Sequence, residues 1–380
     1  MKRLRILHIT PWFPNTDNPI EGVFIAKQLV ELQSHCYNEV LHITLNSTNK
    51  MENGGNYEGL TVTRKQINPI VDRWIIKEKL ASKYIHKYLK KRENDFDFVN
   101  FYIAYPNAVS LKKFQQQFPK LTFTISEQWS AYYEAFNLPP HHKGRKRIEN
   151  IFKQQAPLFT VSSALAEDIK KFAGLEKIEF KLIPNIVNPN DFYYKEKPDS
   201  TIFTFSSINN WSSLKNPFVL IEAFKLLLET DKKNRLLLCG SGQLSDEIKD
   251  TIKKEGLEDH IIFKGRIPKE EVLSTLQNSH VYCQSSNYET FSAICIEALA
   301  TGTPVIATKI GGMKDFVNEK NGLLIDQMTP EQWKNGMKKV KENYSSYQAE
   351  TISKETIEKY NPEKVGTMFF DHFEKLVKNG

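Results

Sequence analysis

Short apolar runs rich in β-branched and aromatic residues alternate along this chain with longer stretches of helical period, and that alternation constrains the fold more than any other feature. Runs at residues 4–10, 40–45, 98–103, 121–125 and 158–161 are the expected strands of a first set. Runs at 202–206, 235–239, 261–263, 281–284 and 305–308 form a second. Strand, helix and strand in repetition predict parallel sheets with crossover helices, an α/β class. A chain of 380 residues exceeds what one hydrophobic core usually serves, so each set is expected to build its own doubly wound unit. The seam is placed in the polar, strand-poor stretch 188–200, with the boundary near residue 192. Ligands of open α/β sheets bind beyond the carboxyl ends of the strands, so chemistry is expected in a cleft between two facing units.

Composition narrows the classes of function. Hydrophobic residues at 40% and charged residues at 26% are globular proportions. Cys36, Cys239, Cys283 and Cys295 have no metal-ligand spacing and no disulfide pattern, which predicts a cytoplasmic protein without zinc. The basic start at Met1 and Lys2 leads into an apolar run broken by Pro11 and Pro14, too early for an export signal. No apolar stretch approaches the roughly 20 residues that span a bilayer, so membrane contact is expected to be peripheral only. Residues 1–190 hold 27 Lys and Arg against 18 Asp and Glu, a surplus of +9, while residues 191–380 hold 25 against 27, or −2. That asymmetry predicts that the first half meets an anion, either phospholipid or a phosphorylated substrate. Its basic residues carry no nucleic-acid-binding signature, so no nucleic acid is expected as a partner.

The densest chemistry lies between Ser285 and Thr308, read as a strand end, a tight loop, a helix and a further strand after Gly302 and Pro304. Glu289 falls in the loop, and Glu297 is expected about two turns along the helix. A loop carboxylate accepts hydrogen bonds from sugar hydroxyls, and one on the helix accepts two from a ribose diol. Free backbone amides over Thr290 to Ala293 are expected to open the helix and hold a diphosphate.

This stretch resembles the pattern of glycosyltransferase family 4, Glu-x-Phe-Gly, then a second Glu after seven intervening positions, opening Glu-Ala-x-Ala-x-Gly-x-Pro-Val. Ser292 stands where the family usually has glycine. Other parts recur in family order. They are Pro11-Trp-Phe-Pro14 with Gly22, Pro184-Asn185, the glycine loop Gly240-Ser-Gly242 after a strand, Gly265-Arg266, Gly311-Gly312 with Asp315, and Asn321-Gly322.

The resemblance implies a GT-B fold of two facing Rossmann-like domains, an acceptor domain at 1–191, a donor domain at 192–360, and a last helix at 361–380 returning to the first. It also implies a retaining, metal-independent transferase with no cofactor, whose donor is a UDP- or GDP-sugar and whose acceptor is a glycan or is lipid-linked. Glu289 and Lys215 are implied as catalytic. Gly22, Gly240, Gly242, Arg266, Thr290, Phe291, Ser292 and Glu297 are implied in donor binding, the Thr290 to Ser292 part through its backbone. Glu127 and Gln128 are implied as sugar or acceptor contacts, Gln128 standing where the family usually has histidine.

The family's arginine before the lysine is absent, with Ser207 or Asn209 near its place and Trp211 in a short insertion. These departures leave two rivals open, a catalytically inactive scaffold that binds a partner, and a sugar-nucleotide epimerase on the same fold. Residues 74–92 are expected to form an amphipathic basic helix with Ile76, Leu80, Tyr84 and Tyr88 along one stripe, suited to anionic membrane. Asp95-Phe-Asp97 imitates a metal-binding motif but opens a strand and is not read as one.

Overall fold

The computed structural model describes residues 3–45, 54–68 and 73–379, so Met1 and Lys2 of the basic start lie outside the described residues. The chain divides into two compact units. Unit 1 comprises Met1–Ile186 with Pro362–Gly380, and unit 2 comprises Val187–Asn361. The division thus falls at Ile186/Val187, against the expected 192. Ile183 and Ile186 are buried in the core of unit 1, which carries that unit up to the crossing.

Unit 1 holds eight strands: β1 (Arg5–Thr10), β2 (Tyr37–Thr44), β3 (Gly54–Tyr57), β4 (Leu60–Gln66), β5 (Phe98–Tyr102), β6 (Thr122–Glu127), β7 (Leu158–Thr160) and β8 (Phe180–Leu182). Their order across the sheet is β3-β4-β2-β1-β5-β6-β7-β8, every pairing parallel except the β3–β4 hairpin. The order reverses between β1 and β5, as in doubly wound sheets. A buried polar ladder crosses the centre of this sheet. His8 Nε2 meets Asn38 Oδ1 at 3.1 Å, Asn100 Nδ2 meets His8 Nδ1 at 3.3 Å, and Thr124 and Ser126 donate to Asn100 Oδ1. Burial drives the His8 imidazole down to about 3, so it is neutral and the two amides satisfy both its nitrogens.

The helix Pro362–Asn379 belongs to unit 1. It carries Val365, Phe369 and Phe373 at helical spacing into that core, where Phe373 lies 5.0 Å from Phe98 and 5.4 Å from Phe159, centroid to centroid. Three such rings bury several kcal/mol of apolar surface, which docks the end of the chain on the unit where it began.

The helix Trp74–Arg92 forms, but on a different face from the expected one. Ala81, Ile85 and Leu89 are its buried stripe, whereas Leu80 is exposed and Tyr84 and Tyr88 are half-buried. The two four-residue stripes are offset by one residue, about 100° around the helix. The stripe of Ala81, Ile85 and Leu89, with Lys77 also buried at its head, wins the core because these three carry no hydroxyl to satisfy. Asp97 is structural, accepting from the Arg5 amide at 2.9 Å, and Asp95 pairs with Arg92 at 2.8 Å.

Unit 2 holds β9 (Phe203–Ile208), β10 (Asn234–Cys239), β11 (Ile261–Gly265), β12 (Val281–Gln284), β13 (Val305–Thr308) and β14 (Gly322–Ile325). They run all parallel in the order β11-β10-β9-β12-β13-β14. Counted along the chain this is 3-2-1-4-5-6, whose switch point lies between β9 and β12. The helices Pro217–Leu228 and Pro330–Glu342, each opened by proline, pack Leu220, Phe224, Trp333 and Met337 against the sheet. Trp211 is fully buried in the same core, so the short insertion contributes to the packing of this unit.

Candidate functional site

The carboxyl ends of β9 and β12 bring Lys215 and Glu289 together. After β9 the chain makes a single 3-10 turn, Ser213–Lys215, and Asn216 takes a left-handed conformation (φ 44°) before proline starts the next helix. After β12 the loop is stitched to that turn. Ser285 Oγ donates to the carbonyls of Lys215 and Asn216, both at 3.0 Å, and the Asn287 amide donates to Leu214 O at 2.7 Å. Lys215 Nζ is ion-paired with Glu289 Oε1. The same oxygen accepts from Ser286 Oγ at 2.7 Å and from Gln284 Nε2 at 2.8 Å. All three donors converge on Oε1.

Glu289 also shapes the next turn through its backbone, accepting from the Gly312 amide at 3.1 Å. Gly311 adopts φ +45°, and a side chain on it would strike the Glu289 carbonyl at 1.7 Å. Gly311 is therefore required by close backbone approach.

The helix expected from about residue 290 begins at Ala293 and ends at Ala300. Ser292 is its first flanking residue, with φ 71° and ψ 85°, a left-handed geometry that explains why glycine suits this position. Two corrections follow. Glu297 lies about one turn into the helix, not two. The first-turn amides without an intrahelical acceptor are those of Ala293 and Ile294 rather than Thr290 to Ala293. Thr290 is half-buried in the loop. Phe291 is buried against Phe316 and Tyr360, at 5.3 and 5.9 Å between centroids, so its side chain packs the unit and only its backbone remains for a ligand.

The glycine loop after β10 has a structural explanation. A Cβ on Gly240 would meet Asn209 O at 1.9 Å, and one on Gly242 would meet Trp211 O at 2.2 Å. Arg266 is exposed at the end of β11, the edge strand. Two strand spacings, about 10 Å, separate β11 from β9.

In unit 1, Gly22 (φ 62°) opens the helix Val23–Leu32, and a Cβ there would lie 2.6 Å from Trp12 O, in the loop after β1. Nearby, His42 is held neutral. Burial, then the adjacent Arg64 charge, lowers it to about 3, with Nε2 facing Pro11 O at 3.2 Å and Nδ1 facing Arg64 Nη1 at 2.8 Å.

Glu127 is buried and fully used. Its Oε1 accepts from the amides of Gln128 and Trp129, and its Oε2 from the Ala104 amide and the Tyr132 hydroxyl, all between 2.7 and 3.0 Å. Burial raises it above the usual carboxylate range despite those four donors. Gln128 donates to Gln28 Oε1 at 3.0 Å, where Tyr102 also donates, and Gln28 in turn donates to Pro184 O at 2.8 Å. Glu127 organises the loop, and Gln128 is the half-exposed member of the pair.

Sequence reading does not single out Gln284, Ser286 or Tyr282, and it names Asn209 only as standing near the place of the absent arginine. Their signal was a glutamine ending an otherwise buried strand and followed by two serines, a polar run that must find partners. Among the described residues, no three His, Cys, Asp or Glu side chains are grouped to hold a metal ion, and no helix is long and apolar enough to cross a membrane.

Residues 193–359, nearly all of unit 2, match the family described as glycosyl transferases group 1. Unit 2 is a glycosyl transferases group 1 domain. Among curated relatives, a D-inositol 3-phosphate glycosyltransferase of Corynebacterium urealyticum is 38% identical over 128 residues, covering 32% of this chain and 30% of that one. The chain spans 30% to 60% of the length of the first curated relatives it matches.

Solved structures match the whole chain in fold. Sucrose-phosphate synthase from Thermosynechococcus elongatus has a TM-score of 0.77 at 15% identity, covering 99% of this chain and 100% of that one. The Anabaena protein HepE, in complex with UDP and glucose, has a TM-score of 0.70 at 14% identity over 98% and 100%. The fold is GT-B.

Proposed function

We propose that this protein transfers a sugar from a nucleoside diphosphate donor, UDP- or GDP-linked, to a glycan or lipid-linked acceptor with retention of configuration, in the assembly of bacterial surface polysaccharide. The observation that carries the reading is the Lys215–Glu289 pair at the switch point of a group 1 domain. The HepE complex with UDP and glucose, on the same fold, supports a nucleotide-sugar donor. A relative named for inositol phosphate supports an anionic acceptor, in keeping with the basic first half.

On this reading Lys215 and the Ala293 and Ile294 amides stabilise charge developing on the leaving diphosphate. Glu289 holds a donor-sugar hydroxyl through Oε2, and Glu297 holds the ribose. The bond from the sugar carbon to the phosphate oxygen breaks as the acceptor oxygen attacks on the same face, and the acceptor proton passes to the departing phosphate. The protein's part is position and charge. Unit 1 takes the acceptor. Its helix Trp74–Arg92 exposes Trp74, Ile75 and Leu80 beside Lys79 and Lys83, which suits the cytoplasmic face of an anionic membrane.

The experiment is titration calorimetry against UDP, GDP and their common sugars, followed by transfer assays with the donor that binds. Binding and transfer, both abolished by Glu289→Ala, are expected. Binding without turnover, with the cellular role intact in Glu289→Ala, would replace the enzyme with a scaffold. An altered nucleotide sugar released without acceptor would make it an epimerase.

A further inference from the structure

Lys215 has two demands on it. In the structure it is paired with Glu289, whereas the proposed reaction needs its charge on a diphosphate. A lysine that leaves a mostly buried carboxylate strands that charge unless other donors remain. Glu289 is 9% exposed, so water alone does not replace the lysine.

The two strands at the switch point supply the replacement. Gln284 closes β12 with 1% exposure, and its Nε2 lies 2.8 Å from Glu289 Oε1, 2.7 Å from Ser286 Oγ and 2.9 Å from Asn209 Oδ1. Its carbonyl accepts from the Tyr282 hydroxyl at 2.7 Å. That hydroxyl also lies 3.1 Å from Ile208 O on β9. Asn209 is fixed in turn, its Nδ2 donating to Ser207 Oγ at 3.0 Å. An acceptor-only carboxylate on one side and a tyrosine hydroxyl on the other leave the glutamine amide one orientation, with NH2 toward Glu289. Reversal would set two oxygens 2.8 Å apart.

We propose that Gln284, oriented by Tyr282 and Asn209, is a positioning residue that holds the Glu289 carboxylate in place when Lys215 is drawn to the donor diphosphate. This rests on the donor-binding reading above. Gln284 touches no substrate. It acts by holding Oε1, which leaves Oε2 directed to the ligand and lets the lysine exchange one anion for another. Without it, Oε1 keeps, among the described residues, Ser286 and Lys215, and the lysine stays.

The test separates ligands that compete for Lys215 from those that do not. Affinities for the nucleoside monophosphate and diphosphate of the preferred base are measured for the native protein, Gln284→Met and Tyr282→Phe. Loss of one hydrogen bond to a charged group predicts that the diphosphate's advantage over the monophosphate falls about tenfold in Gln284→Met. A smaller fall in the same direction is expected in Tyr282→Phe, which removes one hydroxyl and leaves the packing. In a Glu289→Gln background, where no charge needs holding, Gln284→Met should change the ratio little.

An unchanged ratio in both single variants, with the native protein binding diphosphate, overturns this inference alone. An equal loss in the Glu289→Gln background also overturns it, because the effect would not run through Glu289. Absence of any nucleotide binding by the native protein overturns the donor reading and this inference together. Should Gln284→Met fail to fold, Tyr282→Phe decides by the same ratio.

Discussion

Replacing Gly311 by alanine tests whether the turn after β13 positions Glu289. The added Cβ would sit 1.7 Å from the Glu289 carbonyl oxygen, whereas real contacts of this kind do not fall below 3.0 Å. Turn and loop must therefore part by about 1.3 Å, which breaks the 3.1 Å bond from the Gly312 amide. Holding alanine at φ +45° costs roughly 1 kcal/mol and losing the bond about 1 more, so the total is about 2 kcal/mol. For a unit of this size that lowers the melting temperature by about 4–8 °C. A displacement of about 1 Å at a positioning carboxylate predicts a fall in kcat/KM of about 100-fold.

Scanning calorimetry and the transfer rate measure the two effects. Gly256 is the control, because it shares a positive φ (+63°) but has nothing within 4 Å of a built Cβ. Gly256→Ala should lose only the conformational part, about 1 kcal/mol, and keep full activity. Gly311→Ala melting and turning over like Gly256→Ala would refute the coupling of this turn to Glu289.

Ser292→Gly removes a side chain from φ 71° and should raise stability to denaturant by about 0.5–1 kcal/mol after the entropy glycine gains in the unfolded chain; a loss of stability would contradict the left-handed reading. His42, whose folded value of about 3 lies below its free value of 6.5, costs stability as pH falls, by about 1.4 kcal/mol per pH unit between those limits, because the unfolded chain takes up the proton first. His42→Gln should therefore flatten the pH dependence of urea unfolding below pH 6.5. Glu127, raised by burial, acts in the opposite sense where it titrates and is present in both proteins. Trp211→Ala empties a fully buried position and should cost about 3–5 kcal/mol, read from urea unfolding, whereas a surface insertion would cost next to nothing.

All ten expected strands are present, because each is a parallel strand written as a compact apolar run, buried in every case but the edge strand β11. Four were not foreseen. β4 alternates Thr, Arg and Lys with Leu and Val near an edge, β3 is Gly-Gly-Asn-Tyr, β8 has three residues, and β14 begins on a glycine. Each departs from the apolar run for a local reason of its own: exposure, brevity or close approach. The Lys215 and Glu289 motifs were legible because both follow recognisable strands. The partners of Glu289 were not, since a hydrogen-bond network joining β9 to β12 depends on strand order, and strand order leaves no mark on the linear chain. The misplaced stripe on Trp74–Arg92 has a related cause, in that two four-residue periods coexist there and only packing selects between them.

Gly240 and Gly242, implied in donor binding by the resemblance, have a structural reason to be glycine. The space a Cβ would need at each is filled by the backbone of Asn209 and Trp211. The Trp211 amide donates to Ser241 O at 3.1 Å, and the Leu244 amide donates to Trp211 O at 3.1 Å. The glycines thus let the segment after β9 lie against the loop after β10. That contact sets Asn209 where Gln284 can reach it, four residues before the turn that carries Lys215. The glycine loop supports the site from behind. Substitution there should act first on stability and on the placement of Asn209, with donor affinity lost as a consequence.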